Sequence, residues 1–207
     1  MARRREPATT TFKGVAFRYS NYDTPFWVRP NTQAGRWHSA GDGTTQYLSS
    51  TTDGAWADLN RNEELRSEAD AAMVSMPLWQ ARVDQSYVVD YSTFELAERS
   101  GFAADALVDD DQQRCRAEGR RLRALGYAGV LAPCAALLGA TNLTLFGPRV
   151  STSWESEPTL ASAIPAAVLT QGAPPRGLVA RVRFRGQVHA GLREHLAQRS
   201  KQGRRRP

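Results

Sequence analysis

Gly129-Val130-Leu131-Ala132-Pro133-Cys134-Ala135-Ala136, followed by Asn142-Leu143-Thr144-Leu145-Phe146-Gly147, is the stretch on which the fold turns. Gly129 to Ala132 and Asn142 to Phe146 are short apolar runs and read as two buried strands, with Pro133 to Ala136 between them. Upstream, a helix is expected from about Asp110 to Leu125, with acids at its start, Arg121 and Arg123 in its last turn and Gly126 beyond. Cys115 lies on that helix, where a thiol packs as a small apolar group. Before it, Ser92-x-x-Glu95 forms a capping box for another helix, closed by Gly101. Met73 to Trp79 and Ser86 to Asp90 read as strands joined by a turn around Gln80 to Gln85.

Nearer the N-terminus, Val15 to Tyr19 alternates as a strand and stops in the turn-rich Ser20 to Pro25. Pro30 to Gly43 is a long loop carrying Arg36, Trp37 and His38, and long loops in compact domains are often functional. Gln46 to Ser50 is a short strand, after which Thr51-Thr52-Asp53 offers N-caps for a helix beginning near Gly54. Positions 55, 58, 59, 62, 65 and 69 share one helical stripe, which sets Asp58 among apolar neighbours. A buried carboxylate needs a partner or a purpose, and Arg18 is the candidate partner. A stripe shifted by one residue would instead turn Asp58 to solvent.

Downstream, Pro148 to Pro175 reads as a connecting excursion with a short helix near Leu160 to Leu169. Leu178 to Arg185 alternates apolar with basic, as an edge strand does. A terminal helix from His189 to Gln198 completes the elements. Neither an internal repeat nor a glycine-rich phosphate loop is present.

The 207 residues suit one domain with a single core. We expect a domain over 11–198 between basic, disordered tails at 1–10 and 199–207. The net charge of +6 comes from those tails: of 27 basic residues, Arg3, Arg4, Arg5, Arg199, Lys201, Arg204, Arg205 and Arg206 lie there, as does Glu6 of the 21 acids, leaving 19 basic against 20 acidic residues between them. Direct nucleic-acid binding is therefore not favoured. Two cysteines make no disulfide framework, no spacing suggests a metal site, and no run has the length of a membrane span. A soluble, cytoplasmic protein without a leader is the expectation.

The blocks Phe17-Arg18-Tyr19, Gly35-Arg36-Trp37-His38, Tyr47-Leu48-Ser49, Ala57-Asp58-Leu59, Pro133-Cys134 and Asn142 to Gly147 resemble, in order and spacing, the RES domain. The resemblance covers about Phe17 to Arg149. It implies an α+β (mixed α/β) fold similar to ADP-ribosyl transferases, with a mixed, largely antiparallel sheet, flanking helices and a cleft for NAD. Members of that family consume NAD as phosphorylases, glycohydrolases or ADP-ribosyl transferases, often as toxins held by an Xre-like antitoxin. The family's namesake Arg, Glu and Ser fall on Arg18, Asp58 and Cys134, so two of the three are substituted here.

Those three are the expected catalytic residues. Arg18 suits a diphosphate because a guanidinium forks onto two oxygens. Asp58 would stabilise positive charge on the ribose as the glycosidic bond breaks. Cys134 is a tolerated substitute for serine, a mark of lost or altered catalysis, or a nucleophile in its own right. Tyr19 and Tyr47 match aromatic positions flanking the pocket, suited to stacking on nicotinamide. Arg36, His38 and Asn142 are further expected substrate-binding residues. NAD is expected as substrate rather than cofactor, with phosphate as a co-substrate. ADP-ribosyl transfer to a protein or nucleotide, and a binding module without turnover, are the alternatives, and a homodimer stays open.

Overall fold

A computed structural model describes residues 6–20, 31–147 and 166–203. Six strands, β1 (Thr9–Tyr19), β2 (Thr45–Ser49), β3 (Met76–Asp90), β4 (Gly129–Pro133), β5 (Thr141–Phe146) and β6 (Ala166–Gly172), form one sheet in the order β1-β2-β5-β4-β3-β6. The β3–β4 pair is parallel and the other pairings are antiparallel. Five α-helices accompany them: α1 (Thr52–Asn62), α2 (Glu68–Ala72), α3 (Phe94–Arg99), α4 (Gln113–Ala124) and α5 (Ala190–Gly203). The fold class is mixed α+β, as expected.

β1 also pairs with β3 along its length, from Thr9 against Val89 to Tyr19 against Leu78. The sheet therefore bends back on itself, and β1, β2, β5, β4 and β3 make a ring that closes through one β1–β2 pair, Phe17 with Ser49. Inside the ring, Ala16, Leu48, Ala81, Val83, Val88, Leu143 and Leu145 form a buried cluster. A second cluster joins α3 and α4 to the sheet through Tyr91, Phe102, Leu107 and Leu122. A third packs α1 against the Cys134–Ala140 loop and the Leu178–Phe184 segment.

β3 is one strand of 15 residues, so Gln80 to Gln85 are not a turn. They pair with Phe17 to Phe12 of β1, and Ala81 and Val83 point into the core while Arg82 is exposed. The polar outer positions hid an ordinary period-two strand. Leu178 to Arg185 is likewise not a strand: Val179–Arg181 is a 3₁₀ turn and Val182 makes an isolated bridge to Leu137. Burial of Leu178, Val179, Val182 and Phe184 under α1 produces the alternation there. In the excursion, Ala166 to Leu169 belong to β6 rather than a helix, and Leu160 to Pro165 lie outside the described residues. Thr93 caps α3 by accepting from the Leu96 N–H, which displaces Ser92 from that role. β1 starts at Thr9, and α5 extends through Arg199 and Lys201, so ordered elements reach into both segments expected as tails. Among the described residues, no helix is long and apolar enough to cross a membrane.

Candidate active site

The local sequence around α1 builds one wall of a cleft. Thr51 caps the helix by accepting from Gly54 N–H at 3.0 Å, which phases the helix so that Ala55, Leu59 and Asp58 face the sheet. The stripe holds only as far as Asn62, where the helix ends. Asp58 stands half-buried in the cleft wall. Its Oδ2 accepts from Asn142 Nδ2 at 2.7 Å, and its Oδ1 accepts the Cys134 thiol at 3.6 Å. Burial pushes the carboxyl above its usual range; the Asn142 and Cys134 donors, then Arg61 and Arg36, act against that.

The cleft, of about 510 Å³, lies between the end of β1, β2, α1, the β4 end, the β5 start and the Gln33–Trp37 loop. Arg18 and Tyr19 reach it from β1, Tyr47 from β2, Arg36 from the loop, and Asn142 from β5. Arg18 donates to Gln46 Oε1 at 3.1 Å, so the partners described for Asp58 are Asn142 and Cys134 rather than the expected Arg18. Tyr19 Oη accepts from Asn62 Nδ2 at 3.0 Å, and burial raises its phenol.

The loop is fixed by α4. Arg116 Nε donates to the Gly35 carbonyl at 3.0 Å, and Arg123 donates to the Thr44 carbonyl and Thr45 hydroxyl. Gly119 sits against Trp37 so closely that an added Cβ would lie 2.1 Å from the Trp37 carbonyl oxygen. Gly35 is held as tightly, with Tyr47 Oη 2.5 Å from where its Cβ would be. Trp37 itself is buried against Tyr91 and Phe102.

Two expected residues stand behind the cleft instead of lining it. His38 is 2% exposed; its Nδ1 meets Tyr47 Oη at 2.8 Å and its Nε2 meets the Gln33 carbonyl at 2.8 Å. Tyr47 Oη also accepts from the Trp37 N–H at 2.9 Å, so His38 and the Trp37 backbone together hold the tyrosine hydroxyl. Cys134 is 0% exposed, and burial followed by the Asp58 charge pushes its thiol far up. A nucleophile needs access and a stabilised thiolate, and Cys134 has neither. Its position makes it a support for Asp58.

Sequence reasoning missed Arg61 and Arg185, which also line the cleft. Arg61 lies one turn after Asp58 on α1, and only the helical phase together with the position of Asp110 would have singled it out. Among the described residues, no cluster of three or more His, Cys, Asp or Glu side chains is arranged to hold a metal ion.

These observations define an α+β domain with an arginine-lined cleft around one supported carboxylate. The profile of the RES domain matches residues 12–163, and the chain belongs to the RES domain family. Among solved structures, the fold is similar to a chain in the crystal structure of the M. tuberculosis MbcT–MbcA toxin–antitoxin complex. The two share 20% identity at a TM-score of 0.59, over 80% of this chain and 87% of that one. No curated protein matches the chain.

Proposed function

We propose that this protein degrades NAD, breaking the bond between nicotinamide and ribose with phosphate or water as acceptor. The observation that carries the reading is Asp58: a carboxylate held by two side-chain donors in the wall of a cleft lined by Arg18, Arg36, Tyr19 and Tyr47. In the reaction, the electron pair of the C1–N bond leaves on nicotinamide, and positive charge develops on the ribose. Asp58 faces that charge, and Asn142 and Cys134 fix its two oxygens so that the carboxylate needs little rearrangement. Arg18 and Arg36 suit the diphosphate, and the tyrosine faces suit the nicotinamide ring. An oxygen of phosphate then bonds to C1 to give ADP-ribose 1″-phosphate, or water does so with loss of a proton to give ADP-ribose. A cleft of this volume lies within the roughly 300–1,000 Å³ common for small-molecule sites.

Family membership supports an enzyme acting on NAD, and likeness in fold to a chain of a toxin–antitoxin complex supports a toxin restrained by an antitoxin protein, which the family resemblance implies is Xre-like. A reducing cytoplasm, where NAD is abundant, suits such a role.

The test is nicotinamide release from NAD by the purified protein, with and without inorganic phosphate, resolving ADP-ribose from its phosphorylated form. Phosphate-dependent release establishes a phosphorylase and phosphate-independent release a glycohydrolase; label appearing on a macromolecule instead establishes a transferase. Folded protein that binds NAD without releasing nicotinamide overturns turnover altogether and leaves a binding module.

A further inference from the structure

Arg61 is 4% exposed, an unusual degree of burial for an arginine, yet its Nε is buried without a hydrogen-bond partner. Its Nη2 donates to Asp110 Oδ1 at 2.5 Å, but Asp110 is already shared. The same oxygen accepts from Arg183 Nη2 at 3.0 Å, and Oδ2 accepts from the Gly186 N–H at 2.7 Å. One carboxylate thus serves two guanidinium groups and a backbone donor.

Arg36, from the opposite loop, repeats the pattern. Its Nη1 donates to the Asp109 carbonyl at 2.8 Å, while its buried Nη2 has no oxygen partner and the guanidinium has the weakly accepting Cys115 sulfur beside it. Both residues line the cleft, and Arg36 is near enough to Arg61 to repel it electrostatically. Among the described residues that line the cleft, Arg18, Arg36, Arg61 and Arg185 stand against two carboxylates, Asp58 and Glu63. Like charges brought together with unused N–H groups are held ready for an anion that accepts several hydrogen bonds. Asn142 Oδ1 and Thr144 Oγ1 are also buried and unpartnered in the same lining, and they match the hydroxyl groups of a ribose or a protonated phosphate.

We propose that Arg61 and Arg36 form a phosphoryl-binding subsite beside Asp58, with Arg61 as a substrate-contacting residue and Asp110 as the group that positions it. The inference deepens the NAD reading, on which its choice of nucleotide rests, and names the chemistry of the ligand: a phosphoryl group, from free phosphate or from the nucleotide diphosphate. Free phosphate there would put the acceptor beside the carboxylate that faces the ribose. A diphosphate there would anchor the nucleotide from the α1 side.

The test is calorimetric titration of the full-length protein with inorganic phosphate and with ADP-ribose at fixed ionic strength, for the native chain, Arg61→Gln and Arg61→Lys. Saturable binding that weakens at least tenfold in Arg61→Gln and lies between the two in Arg61→Lys is the expected result. Phosphate that still binds when ADP-ribose saturates the cleft identifies the acceptor position; competition between them identifies the diphosphate position. Affinities for both ligands that are unchanged in Arg61→Gln, with native thermal unfolding, overturn the subsite. Should Arg61→Gln fail to fold, Arg61→Lys decides alone, because unchanged binding there removes the guanidinium fork from recognition. Absence of saturable binding by either ligand to the native protein also overturns it. Arg61-dependent binding without nicotinamide release would retain the subsite and remove the NAD-cleaving reading, so the two fail separately.

Discussion

At the scale of single residues, the site is a carboxylate with two supports. Asp58→Ala is expected to lower nicotinamide release by at least a hundredfold, whereas Asp58→Glu restores the family's carboxylate and keeps or raises it. Asp58→Asn tests electrostatics more narrowly. Burial raises the Asp58 carboxyl, so its contribution to stability is full below the unfolded carboxylate range and is lost as pH rises through the folded value. The neutral amide escapes that loss, and Asp58→Asn is expected to melt higher than the native protein above pH 7 while being inactive. Calorimetric scans at pH 5 and 8 check this, since the difference should shrink at the lower pH. Asn142→Ala removes a donor that favours the ionised form, so the acidic limb of the pH–rate profile should move to higher pH. Cys134→Ser keeps a donor facing Asp58 with a stronger hydrogen bond and should retain or gain activity; Cys134→Ala should lose it. Because the thiol is wholly buried, native protein should resist alkylation at Cys134 until it unfolds.

At the scale of elements, α4 acts as the bracket for the loop that carries Arg36. Gly119→Ala would drive a methyl group into the Trp37 carbonyl, and overpacking of this kind costs about 1–3 kcal/mol. The expected outcome is a Tm several degrees lower, with a larger loss in KM than in kcat as the loop shifts. Most of these elements were legible in the sequence because their signals were local: Thr51 before α1, Gly101 and Gly126 after α3 and α4, and the short apolar runs of β4 and β5. Where reading failed, distant contacts had decided the matter. β3 looked interrupted because Gln80, Arg82 and Asp84 are its outer face, and only β1 alongside makes it continuous. Leu178 to Arg185 alternated like a strand, but Arg183 bonds the Ala135 carbonyl and Asp110, and Gly177 and Gly186 take positive φ. The site was legible to the same extent. Ordered blocks placed Arg18, Arg36, Tyr47, Asp58 and Asn142 at one cleft, while the roles of Cys134 and His38 as supports depended on depth, which sequence spacing does not encode.

At the scale of the molecule, β3 binds β1 along one edge and is divided between β6 and β4 along the other. Without it β6 loses its described partner and β1 keeps one pair to β2, so heat or denaturant is expected to unfold the domain in one transition, with coincident circular dichroism and tryptophan fluorescence curves. The ring has one weak place. Past the Phe17–Ser49 pair, β1 and β2 exchange no further ladder bonds, and Tyr19 and Tyr47 diverge into the cleft. The opening is thus a stretch of sheet left unzipped, and a nucleotide held by Arg18 on one lip and Tyr47 on the other would act as a staple across the rim. Ligand would then do mechanical duty as well as chemical. Amide exchange at Phe17 and Ser49 should slow when the cleft fills, by more than at β4 or β5, where the zipper is already shut.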